Sequence, residues 1–139
     1  MDKEVISAKL ESLRRCIRRI EDKTPATAEI LLKDNDLQDI ICVNLERAVQ
    51  ISVDLASHII AESDTPAAGS MGESFEKLAR LDLMTDELIA RMKKAVGFRY
   101  IAVHAYQEIN WKIVYSIITT GLSDFVVYAK AVSRAAELP

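Results

Sequence analysis

Three side chains able to do chemistry fall within eight positions of one another: Arg99, His104 and Tyr106. Around them, from Leu88 to Gln107, no residue is acidic, while Arg91, Lys93, Lys94 and Arg99 are basic. Such a stretch draws an anion. Histidine is the side chain that moves protons near neutral pH. Arginine carries a permanent charge in a planar fork that fits phosphate oxygens and the charge that develops on them. An Arg–His pair is therefore a sufficient minimal set, in principle, for cleaving an RNA phosphodiester without a metal, since the substrate's own 2′-hydroxyl can be the nucleophile.

Spacing constrains how such a pair could work. Along a straight helix five residues turn a side chain by about 500°, so Arg99 and His104 would diverge by about 140°. Either the helix bends there, or the same motif from a second chain completes the site. A symmetric dimer with two motifs facing a common cleft is the expected arrangement. Arg99 and Tyr106, seven apart, would share a helix face, and His104 and Glu108, four apart, could interact.

The rest of the chain has the pattern of helices that would position this stretch. Ile6, Leu10, Leu13, Ile17 and Ile20 form one face of a helix over residues 2–22, flanked by Arg14, Arg15, Arg18 and Arg19. Those four arginines read first as a solvated or salt-bridged face. Contact with RNA phosphates or an acidic partner is the alternative. Residues 28–34 are ambiguous. A long helix over about 36–61 follows, with a stripe from Leu37 to Ile59 and Asn35 or Asp36 as its N-cap. His58 on it reads as a packing residue. Residues 62–74 are a loop rich in Ser, Gly, Asp and Pro, and a short helix over 74–80 comes next. Thr85 caps a further helix, with Gly97 as an expected stop or kink. Asn110 caps the last helix, about 111–136, whose expected apolar face runs through Ile113, Ile117, Ile118, Leu122, Phe125, Val126 and Ala129. Trp111, Val114, Tyr115 and Tyr128 lie partly off that face, a second reason to expect a dimer.

Composition agrees with a helical domain. Of 139 residues 50% are apolar and 28% charged, which excludes a disordered chain. Four Gly and three Pro are too few for most all-β folds. The expectation is an all-α bundle of five to six helices, one domain over residues 1–139. Lys and Arg number 18 against 21 Asp and Glu, a net charge of −3, so contact with nucleic acid must be local rather than global. Cys16 and Cys42 stand alone in apolar patterns and read as buried small hydrophobes. Asp34, Asp36 and Asp39 cluster at a helix start, where capping and the helix dipole explain them without a metal. No cofactor is expected. The charged start Met1-Asp2-Lys3-Glu4 leads into no signal-peptide core, and no apolar run reaches bilayer length, so the expected setting is cytoplasmic.

The run Lys94-Ala95-Val96-Gly97-Phe98-Arg99-Tyr100-Ile101-Ala102-Val103-His104-Ala105-Tyr106-Gln107-Glu108 resembles the motif of HEPN ribonuclease toxins of the HepT type. The likeness extends weakly along the chain, through Leu37-Gln38-Asp39 and Asn44-Leu45-Glu46-Arg47-Ala48. It implies a HEPN-like helical bundle, dimeric, with both motifs in the dimer cleft. It further implies a metal-independent endoribonuclease toxin of a type II toxin–antitoxin system, acting on messenger or transfer RNA. The implied partner is an antitoxin of the MNT type, a minimal nucleotidyltransferase that transfers AMP to the motif tyrosine, here Tyr106. Added phosphates would occupy Arg99 and repel RNA. On this reading Arg99 and His104 are the catalytic pair, and Lys93, Lys94 and Tyr100 are candidate RNA contacts. Many members of the family have a polar residue directly after the Arg; here it is Tyr100, which can instead stack on a base. Such bundles also resemble non-catalytic substrate-binding partners of nucleotidyltransferases, the alternative function.

Overall fold

The computed structural model describes residues 2–138, and every element among them is helical. Helix α1 (Lys3–Lys23) begins where the Asp2 carboxylate accepts the Glu4 and Val5 amides, and it buries Ile6, Leu13, Cys16, Ile17 and Ile20. That face lies mainly against α3 (Asn35–Ala61), the longest helix, and these two carry most of the core. The ambiguous segment between them is a short helix, α2 (Ala28–Lys33), capped by Thr27. The buried Gln38 amide donates to the Leu31 and Leu32 carbonyls and so closes the end of α2. The cap of α3 is Asp34, one residue earlier than expected, its carboxylate accepting the Leu37 amide at 3.1 Å. Asn35 and Asp36 are already inside the first turn.

Helix α4 (Met71–Arg80) starts three residues before the expected 74, because Ser70 caps it and accepts the Glu73 amide. It ends with Asp82 at φ 58° and the Leu83 amide donating to the Leu78 carbonyl, a closure usually built on glycine. Helix α5 (Asp86–His104) is capped by Thr85 as expected. Gly97 does not stop it: α5 is helical through to His104. A short 3₁₀ turn, Tyr106–Glu108, follows, and Asn110 caps the next element.

The last helical stretch is not one regular helix. α6 (Trp111–Ser116) and α7 (Leu122–Ala135) are joined by a five-residue π turn, Ile117–Gly121. Thr119 and Thr120 hydroxyls donate to the Tyr115 and Ser116 carbonyls there, both at 2.7 Å. The turn changes which residues face inward. Val114 and Leu122 would stand about 80° apart on a straight helix; absorbing one extra residue brings them within about 20°. Both are buried, together with Ile118, Phe125, Tyr128 and Val132. Ile113 and Val126, expected inside, are exposed instead, Ile113 by 58%. Tyr128 and Val114, expected partly off the apolar face, are in the core.

Tyr128 ties α7 to the centre of the bundle. It is fully buried, its hydroxyl donates to the Ser52 carbonyl at 2.6 Å, and its ring meets Phe75 of α4 edge-on at 5.6 Å. Phe75→Ala is expected to cost about 3–5 kcal/mol through the cavity it opens. Tyr128→Phe removes one hydrogen bond and is expected to cost about 1 kcal/mol. Urea unfolding of the two variants checks both values, and equal losses would mean that the ring contact is not what holds α4 to α7.

Candidate active site

The motif residues sit at the C-terminal end of α5, and the end of that helix decides where each one goes. Arg99 is half-buried and directed toward α4, with one terminal nitrogen 3.8 Å from the Met71 sulfur. Thioether sulfur is a weak acceptor. The Arg99 Nε is buried without any hydrogen-bond partner among the described residues. A permanent cation with unmet donors is where the oxygens of an anion would be accepted.

His104 is the last residue of α5 and is exposed. Its ring lies 4.6 Å from the ring of Tyr100, one turn earlier, tilted by 45°. Tyr100 is itself 65% exposed. The helix is unbroken between Arg99 and His104, so within one chain the guanidinium turns to α4 while the imidazole stands on Tyr100 at the surface. No break in α5 falls between the two residues.

The helix stops one residue beyond His104. Ala105 leaves helical geometry at φ −147°, ψ 51°, and its amide makes the last bond, to the Ile101 carbonyl at 2.8 Å. Tyr106 therefore does not share a helix face with Arg99, and Glu108 is not on the helix of His104. Tyr106 instead crosses to α3, where its hydroxyl donates to Asp39 Oδ1 at 2.6 Å. Its ring packs edge-on against Trp111 of α6 at 5.8 Å. Burial first, then the Asp39 hydrogen bond and charge, push the phenol well above its usual range. The neighbouring Cys42 is buried, and its thiol donates to Glu46 at 3.7 Å. Burial, and then the charge and hydrogen bond of Glu46, push that thiol up to about 12, so it is an inert group.

The cationic stretch is less bare than its sequence suggests. Arg91 bonds Asp124 of α7 at 2.9 Å, and Lys93 pairs with Glu76 of α4. Lys94 is exposed beside a hollow of about 310 Å³ lined also by Ser116, Thr120 and Asp124. On α1, Arg14 and Arg15 both pair with Glu11, as a salt-bridged face would. His58 is half-buried in the last turn of α3. Asp39 as the partner of Tyr106 was not legible: 67 residues separate them, and no local spacing links them. The one available signal was that Asp39 lies in a segment shared with the resemblance. Among the described residues, no group of three or more His, Cys, Asp or Glu side chains is arranged as metal ligands, and no helix is long and apolar enough to cross a membrane.

Known proteins share this architecture. The sequence profile of the family described as Ribonuclease HepT-like matches residues 13–132. An mRNA nuclease HepT of Shewanella oneidensis is 36% identical over 122 residues, 88% of this chain and 91% of that protein. A tRNA nuclease HepT of Aphanizomenon flos-aquae is 22% identical over 129 residues, 93% of this chain and 88% of the other. Among solved structures, a tri-AMPylated Shewanella oneidensis HEPN toxin in complex with MNT antitoxin superposes with a TM-score of 0.89 at 34% identity, covering 96% of this chain and 99% of that one. A profile matched over most of the chain, and a bundle that follows a HEPN toxin almost end to end, make this chain a member of the HepT-like ribonuclease family.

Proposed function

We propose that this chain is the ribonuclease toxin of a toxin–antitoxin pair, an endoribonuclease that works in the cytoplasm and is neutralised by AMP transfer from an MNT-type nucleotidyltransferase. The extent of its match to a named mRNA nuclease carries this reading. The tri-AMPylated relative held by its MNT antitoxin supports the mode of neutralisation.

The geometry of the α5 terminus supports the following roles. Arg99 binds the scissile phosphate, whose oxygens meet the donors left unpaired at its guanidinium. It then stabilises the charge that grows on those oxygens as the fifth bond to phosphorus forms. His104, exposed at the helix end, takes the proton from the 2′-hydroxyl or delivers one to the departing 5′-oxygen. Metal is not needed, because the nucleophile belongs to the substrate. Tyr100, beside His104, offers a ring on which a base can stack. Lys94 contributes a phosphate contact, and Lys93 does so on leaving Glu76.

One chain does not aim Arg99 and His104 at the same point. The second copy of a homodimer completes the cleft, with Arg99 of one chain serving the phosphate that His104 of the other attends. Tyr100, Ile101 and Val103 within the motif, and Ile113 on α6, are exposed apolar residues of the kind a subunit contact covers. Tyr106 is 38% exposed at the rim, so its hydroxyl can be reached by a modifying enzyme. AMP attached there adds anionic phosphate beside the motif, where it repels RNA.

His104→Ala is expected to lower RNA cleavage in chelator by about 10²- to 10⁴-fold while the variant stays folded and dimeric. Full cleavage by it would remove His104 from the mechanism. Co-expressing Arg99→Ala with His104→Ala should restore part of the activity, because a mixed dimer contains one intact Arg–His pair across the interface. No recovery from a demonstrated mixed dimer would place the pair within single chains. With the partner nucleotidyltransferase and ATP, intact mass should rise by whole AMP units, and Tyr106→Phe should take up none.

A further inference from the structure

Asp39 has no part in the RNA chemistry above, yet it makes the hydrogen bond that holds Tyr106. Its Oδ1 accepts the Tyr106 hydroxyl at 2.6 Å. It is not committed to capping α3, because Asp34 fills that role. Both side chains are exposed, so an approaching nucleotide can reach the phenolic oxygen with the carboxylate already in place. The other groups around the phenol are differently engaged. From α3, the Cys42 thiol donates to Glu46. From α6, Trp111 meets the Tyr106 ring in a T-shaped contact. His104, two residues back, faces Tyr100.

Building on the reading of Tyr106 as the AMP acceptor, we propose that Asp39 is the proton acceptor for that modification. The phenolic oxygen attacks the α-phosphorus of ATP held by the nucleotidyltransferase. The new O–P bond forms as the bond from phosphorus to the β-phosphate oxygen breaks, and pyrophosphate leaves. The phenolic proton passes to the Asp39 carboxylate and from there to water. The toxin thus supplies its own base for its own inactivation.

The sign of one substitution separates this role from a merely electrostatic one. The Asp39 charge holds the phenol's proton on more tightly. If ionisation ahead of attack were all that mattered, Asp39→Asn would ease it and speed AMP uptake. If the carboxylate takes the proton during attack, the same change slows uptake.

The test is the initial rate of AMP incorporation into the full chain, by intact mass, with the partner nucleotidyltransferase and ATP between pH 7 and 9. Asp39→Asn and Asp39→Ala, each checked for fold by circular dichroism, are expected to lose about 10²-fold or more at pH 7. Their rates should climb with pH as the phenol ionises unaided, while the wild-type rate stays nearly level. Asp39→Glu should recover part of the loss. A wild-type or faster rate in Asp39→Asn overturns the proposal. So does a loss of equal size at every pH, which would mean that Asp39 only positions the phenol. Undiminished AMP uptake by Tyr106→Phe is a different failure, since it would remove Tyr106 as the acceptor whatever the Asp39 variants do.

Discussion

The break in backbone geometry at Ala105 is the constraint on which the site depends. One residue earlier, His104 is still held by α5; one residue later, Tyr106 belongs to a turn that faces α3. Had the helix run two more residues, Tyr106 would lie on the same face as Arg99, about two turns along. The break separates side chains that the sequence writes side by side. Arg99 and His104 stay on α5, and Tyr106 rests on a neighbouring helix through its hydrogen bond to Asp39. That pair is exposed and gives way to water at small cost.

Electrostatics at this end of the bundle follow from the same packing. Glu76 on α4 and Asp124 on α7 neutralise Lys93 and Arg91, two of the four cations of the acid-free stretch. Arg99 is left with an unpartnered buried nitrogen and a sulfur neighbour. The cationic character is thereby concentrated near the motif rather than spread along the helix. In a chain of net charge −3, this local concentration is what can draw an anion, and such attraction is modest and readily screened by salt.

The helices were largely legible because their capping residues and apolar spacing are local signals. Thr85 and Asn110 cap as their types predict, and α1 buries the face that its isoleucines and leucines mark. The misses have physical causes. The α3 cap falls on Asp34 because Gln38 closes α2 from within α3, and the two helices share one tight junction. The apolar face of the last helix is misread because a π turn shifts its register, and the threonine hydroxyls at that turn have no unique signature. Gly97 lies within α5 because a helix tolerates an isolated glycine where neighbouring packing holds it.

The sequence by itself determined an all-helical chain, the Arg99–His104–Tyr106 spacing and the family it belongs to, since all three are carried by residue type and short-range order. It also required that Arg99 and His104 diverge on any straight helix, because helical twist is independent of context. Only the tertiary structure decided that the helix runs unbroken between them and that it ends before Tyr106. Tertiary packing also brought Asp39 to that tyrosine and set Glu76 and Asp124 against the cations. These are meetings of groups far apart in the chain, and they exist only once α3, α4 and α7 have packed around α5.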